Sequence, residues 1–158
     1  MYIVTDHSKY HPEYLHIYGK KRNNIVEGDF SKIIYSTETF SQDGLYLICG
    51  LNDIVVINTN SSDISIKYDI VSNHMNSKII QELANIEKQI LKTYMNVNSC
   101  KKKRSYVLNN KLVNGKMKIY KSNTIPFISN NINVVIKISG IWETATDIGL
   151  AVKFLIGL

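Results

Sequence analysis

Eight cationic side chains and two phenol rings are interleaved between positions 101 and 121. Lys101, Lys102, Lys103, Arg104, Lys111, Lys116, Lys118 and Lys121 have Tyr106 and Tyr120 among them. The two residue types do complementary chemistry on one kind of ligand. Ammonium and guanidinium groups hold phosphates, and flat rings offer faces to unstacked bases, each stack contributing roughly 1–3 kcal/mol. Trp142, the only tryptophan, joins the candidate set. Each ring also has a plainer use: cross-strand packing for Tyr106 and Tyr120, and sealing a core or its rim for Trp142. The run Lys101–Arg104 also fits a nuclear import signal, which is compatible with nucleic-acid binding.

The charge distribution points the same way. The net charge is +6, but from Asn96 to Trp142 there is no Asp or Glu. With Lys137 that window carries nine cations, leaving 10 basic against 13 acidic residues elsewhere. Segregation on this scale makes a local positive field that attracts a polyanion. A solvated loop in an Asn/Lys/Ile-rich chain is the bland alternative.

Residues for catalysis or metal binding do not assemble into a pattern. No phosphate-binding glycine loop, nucleophile elbow or paired-histidine zinc motif occurs. His7, His11 and His16 are close in sequence, but Pro12 keeps His11 out of helical backbone and no cysteine pair completes a zinc set. Cys100 would need a base and an orienting partner to act as a nucleophile, and the sequence identifies neither. The chain is therefore read as a non-enzyme, with no catalytic residues, no metal and no cofactor.

A chain of 158 residues is one domain, 1–158, able to bury a real core without staples. Two cysteines, Cys49 and Cys100, read as reduced thiols of an intracellular protein. The polar start, MYIVTDHSKY, lacks a signal-peptide apolar region, and no apolar run reaches the ~18 residues of a membrane span. The expectation is a soluble protein with no membrane partner.

The elements that must position these residues are mostly strands. Apolar runs at 33–35, 45–49 and 54–58 read as strands, the last two as a hairpin turning at Gly-Leu-Asn-Asp. Ile64, Ile66, Tyr68 and Ile70 alternate with polar residues, the pattern of a half-buried strand. One helix is clear: Ile79, Ile80, Leu83, Ile86, Ile90, Leu91, Tyr94 and Met95 share one face, with Asn76 as N-cap and an end near Asn96. Asn114-Gly115 predicts a second hairpin between the segments KLV and KMKIY, its second arm presenting Lys116, Lys118 and Tyr120 on one face. Ile132, Val134, Ile136 and Ile138 alternate in a strand that bulges at Gly140 and returns through GLAVKFLIGL. The fold class is mainly β with one central helix. The economical architecture is an OB-like five-stranded barrel, β-β-β-α-β-β with an additional hairpin, which the hairpin 132–157 closes.

That terminal stretch, VVIKISGIWETATDIGLAVKF, carries Ser139-Gly140-Ile141-Trp142, a polar turn, Gly149-Leu150, then Lys153 and Phe154. It resembles the C-terminal hairpin of OB-fold single-stranded DNA-binding proteins of large double-stranded DNA viruses (pox-, irido-, asfarvirus-like and insect DNA viruses). The resemblance implies a protein that coats exposed strands during viral DNA replication or recombination. It implies single-stranded DNA, or alternatively RNA, as partner, and the cytoplasm or nucleus of an infected cell as its location. Separately, an apolar terminus tied into a sheet suits self-assembly into a homo-oligomer by edge pairing. One departure is the end of the chain. Many single-strand binders finish in an acidic tail, whereas this sequence finishes in FLIGL. The rival reading is a virion structural or protein-interaction module with a basic surface and no strand preference.

Overall fold

The computed structural model describes residues 2–23, 25, 27–120 and 130–157. In chain order the strands are β1 (Thr5–Asp6), β2 (Leu15–Ile17), β3 (Lys21–Arg22), β4 (Asp29–Ser36), β5 (Ser41–Asp43), β6 (Leu45–Leu51), β7 (Val55–Thr59) and β8 (Asp63–Lys67). Helix α1 (His74–Val97) follows, then β9 (Lys103–Ser105), α2 (Val107–Val113), β10 (Lys116–Tyr120), β11 (Ile132–Glu143) and β12 (Asp147–Ile156). The protein is mainly β with one long helix. No helix among the described residues is long and apolar enough to cross a membrane.

The long hairpin β11–β12 is the spine, and each of its outer edges is shared by two partners. Along β11, residues Ile132–Ile138 pair antiparallel with β6 and Gly140–Glu143 with β4. The register shift between Ile138 and Gly140 is where β11 changes partner. The expected bulge is therefore present, and Gly140 is required there. A Cβ on it would lie 2.3 Å from the Ser31 carbonyl oxygen and 2.5 Å from the Phe30 ring. Along β12, Asp147–Gly149 pair parallel with β9, and Leu155 pairs with Tyr120 of β10.

One face of the sheet is dry. Ile79, Ile80, Leu83, Ile86, Ile90, Leu91 and Tyr94 of α1 are buried with Leu45, Leu47, Ile64, Ile66, Ile136, Ile138 and Ile141 in a single core cluster. These are the helix face and the strand alternations expected from the sequence. Met117 and Ile119 of β10 also point inward, while Lys116, Lys118 and Tyr120 are exposed as expected.

Several expectations are corrected. The main path of the sheet runs β1-β6-β11-β12-β10-β8-β7, an open order whose end strands β1 and β7 are not paired to each other among the described residues. The terminal hairpin lies in its middle, with β6 and β4 on one side and β9 and β10 on the other. β6 and β7 do not form a hairpin. β6 is buried at most positions and takes β1 and β11 as neighbours, whereas β7 is exposed throughout and, among the described residues, pairs only with β8. The corner between them is held by the buried Asn76 side chain, which accepts from Asn52 N–H and donates to Asn52 C=O, both at 2.9 Å. Asn76 is thus a clamp, and the N-cap is Asn73, whose side chain accepts from Asn76 N–H at 3.0 Å.

The segment before Asn114-Gly115 is helix, not a strand. Leu108 and Leu112, four apart, are both buried in the core. The fully buried Glu87 carboxylate of α1 accepts the Leu108 and Asn109 N–H groups at 2.8 and 3.0 Å, satisfying donors that a helix start leaves free. Gly115, with φ +72°, is then the left-handed residue that ends α2 and not part of a two-residue hairpin turn.

Candidate nucleic-acid interface

α2, β10 and β12 enclose a basic groove. Among the described residues β10 touches β12 in register only at Tyr120–Leu155, so the two strands part towards Lys116 and α2 spans the gap. The cleft between them, about 640 Å³, is lined by Lys111, Lys116, Lys118 and Lys153 around Tyr120, and among the described residues its lining contains no carboxylate. Tyr120 is 39% exposed. The Lys153 ammonium stands 4.5 Å and the Lys118 ammonium 5.7 Å from the centre of its ring. Lys111 from α2 stands 5.9 Å from the centre of the Phe154 ring. Lys118 is also 3.4 Å from the Asp63 carboxylate of β8, so part of its charge is answered inside the protein.

The structure brings Lys111, Lys116, Lys118 and Tyr120 of the predicted set together. It adds Lys153, which the sequence pattern alone does not assign to the site. The signal that could have found it is its place between Val152 and Phe154, the one polar residue from Ile148 to Ile156 of the strand. Lys121 lies outside the described residues. Tyr106 occupies the N-cap position of α2 and packs partly buried against the core.

The run Lys101–Arg104 sits elsewhere. Lys103 and Arg104 are exposed on β9, which pairs with Asp147 and Ile148 of β12. From Ile148 to Leu155 is seven strand steps, roughly 23 Å at the usual rise. β9, α2 and β10 thus follow one another along the same edge of β12. Lys101 is exposed, but Lys102 is engaged internally: its ammonium donates to Thr144 C=O at 2.7 Å and pairs with Glu143 at 3.2 Å.

Glu143 is the acid at the centre of this end of the molecule. It is 4% exposed, pairs with Lys20 at 3.0 Å as well as with Lys102, and accepts the Tyr94 hydroxyl at 2.8 Å. Burial pushes its carboxyl up, but the bonds from Lys20, Tyr94 and Lys102 outweigh that and hold it down at about 2. The same burial raises the Tyr94 hydroxyl well above its ordinary value.

Trp142 is half-buried in the outer face beyond the bulge. Its indole N–H donates to Leu150 C=O at 3.2 Å, and its cross-strand neighbours are Gly149 on one side and Phe30 on the other. A cleft of about 380 Å³ opens beside it, with Glu27 and Asp29 on its wall. Trp142 therefore sits beside carboxylates and outside the lysine groove. Among the described residues no three His, Cys, Asp or Glu side chains converge as a metal set. His7, for one, is bound to Glu82 at 2.7 Å.

Comparison with known proteins returns no match: no family model, no curated protein and no solved structure resembles the chain closely enough to be counted.

Proposed function

We propose that the protein is a non-catalytic binder of single-stranded nucleic acid, DNA in the first instance, and that the Lys111–Lys116–Lys118–Lys153 groove is where the strand is held. The observation that carries this is the exposed Tyr120 ring with two ammonium groups over it in a cleft whose described lining holds no carboxylate. A base laid on that ring would have its own phosphates within reach of the lysines. A duplex hides its base faces in the stack, so a ring of this kind favours an unpaired strand.

The finer expectations travel with this reading. They are an OB-like five-stranded barrel, kinship with the viral OB-fold proteins, and the coating of strands exposed during replication or recombination in an infected cell. Strands ahead of α1, a terminal hairpin after it and the bulge between Ile138 and Gly140 support them, although the described strands follow an open path.

The test is a titration of a fluorescent oligo-dT of about 30 nucleotides at two salt concentrations, with the matching duplex as control. Single-strand preference, and affinity that falls by orders of magnitude on raising salt, are expected. Equal affinity for duplex would instead favour a basic module of a virion or of a protein complex, and no binding at low salt would sink the proposal.

A further inference from the structure

The outer face of the sheet carries a row of side chains that continues from the groove. Lys153 of β12 is the register partner of Lys137 of β11, and Lys137 is the partner of Tyr46 of β6. Direct partners point to the same side, so these three side chains stand in line across adjacent strands. At one end Lys153 reaches the Tyr120 ring. At the other, the Lys137 ammonium stands 5.7 Å from the centre of the Tyr46 ring. Tyr46 is only 8% exposed because the Tyr2 ring lies flat on it, with centroids 4.3 Å apart and planes 8° from parallel. Tyr2, 41% exposed, is thus the outer ring of a stack. The residues after it are tied to the sheet: Gln42 accepts the Ile3 N–H at 2.8 Å and donates to the Ile3 carbonyl at 2.7 Å, while Thr5 pairs with Leu47 of β6.

The lysine pair is the informative part. Like charges directly opposite on neighbouring strands are destabilising. Among the described residues neither Lys137 nor Lys153 has a carboxylate partner, and the only groups answering them are the two ring faces. An attraction of that size at an exposed site is small, so the pair stays short of negative charge. Among the described residues, the core cluster that α1 joins lies on the opposite face of these strands. The arrangement ring, cation, cation, ring therefore offers an anion site flanked by two stacking surfaces. It covers three inter-strand spacings, roughly 14 Å.

Resting on the function proposed for the groove, we propose that the bound strand leaves the groove across this face. A phosphate would sit on Lys153 and Lys137 and a base on Tyr2, so that Lys137, Tyr46 and Tyr2 form a second nucleotide platform. Titrations with oligo-dT at several salt concentrations test it. Tyr2→Ala should weaken binding roughly five- to a hundred-fold with the salt slope unchanged, and Tyr2→Phe should bind like the parent. Lys137→Gln should lower the slope by about 0.7, the share of one phosphate on a single strand. It should leave the melting temperature unchanged or raise it, because it relieves the lysine pair. Lys116→Gln reports on the groove alone. If Lys116→Gln weakens binding while Tyr2→Ala and Lys137→Gln bind like the parent, the sheet-face path is overturned and the groove stands. If the parent protein itself does not bind, both readings fall.

Discussion

The ring of Trp142 lies across Gly149, its partner on the next strand, so closely that a Cβ at that glycine would stand 2.3 Å from the ring's Cζ2. The adjoining strands repeat the device, with the Phe30 ring over Gly140. Each glycine is the space a flat ring needs in order to lie on the sheet. The indole is pinned in that place by its hydrogen bond to Leu150 C=O.

Gly149→Ala should therefore lift the indole off the sheet and break that bond, at a cost typical of overpacking, about 1–3 kcal/mol. Because Trp142 is the only tryptophan, its emission reads the site alone. A red shift with a lowered melting temperature is expected. Gly19→Ala, where a Cβ would meet nothing within 4 Å, is the control and should change neither. Unchanged emission in Gly149→Ala would mean that the ring is not seated on the glycine.

What the sequence discloses and what it hides divide along range. α1 is legible because eight apolar residues repeat at helical spacing, and β10 because Met117 and Ile119 alternate with Lys116, Lys118 and Tyr120. Gly140 is legible as a bulge because a glycine interrupts a strong alternation. Asn114-Gly115 misleads because a left-handed glycine serves a helix end as well as a hairpin turn. What decides between them is Glu87 of α1, about twenty residues upstream, whose carboxylate receives the first N–H groups of α2. The acid-free window misleads in a similar way. Lys102 finds Glu143, one residue past the end of the window, and Lys118 finds Asp63, far before its start. Charge that looks unanswered along the chain is partly answered in space. The Lys137–Lys153 pair is the converse case: the hairpin is legible in the sequence, but the register that sets these two lysines side by side is not.

Glu143 gives the molecule an acid limit. Its carboxyl is held at about 2 in the folded protein against an ordinary value of 4.5, so the unfolded chain binds the proton more readily. The stability it contributes is complete above its ordinary value and is lost as pH falls from there towards about 2. The size is on the order of 3 kcal/mol. Urea unfolding across this range should show stability falling with pH in the parent. Glu143→Gln should flatten that segment and lower stability at neutral pH by about 3–5 kcal/mol, because Lys20 and Lys102 lose their buried partner. A mutant retaining the parent's acid slope would remove Glu143 as its source.

The four consecutive cations Lys101–Arg104 should separate into two functions. Lys102 has its ammonium 2.7 Å from Thr144 C=O and 3.2 Å from the Glu143 carboxylate, inside the cluster that ties β9 to the hairpin turn. Lys103 and Arg104 are exposed on β9, further along the edge of β12 that the groove occupies. Lys102→Gln should accordingly lower the melting temperature while leaving the salt dependence of single-strand binding near the parent's, since its charge is spent on Glu143. Lys103→Gln with Arg104→Gln should leave the melting temperature in place and lower the salt slope by up to about 1.4, at 0.7 for each phosphate no longer neutralised. Thermal melts and salt titrations on the same two variants decide the matter. If Lys102→Gln changes the slope as much as the exposed pair does, its ammonium is free in solution and the Glu143 cluster does not hold it. If the exposed pair changes nothing, the strand does not pass β9 and the interface ends at the groove.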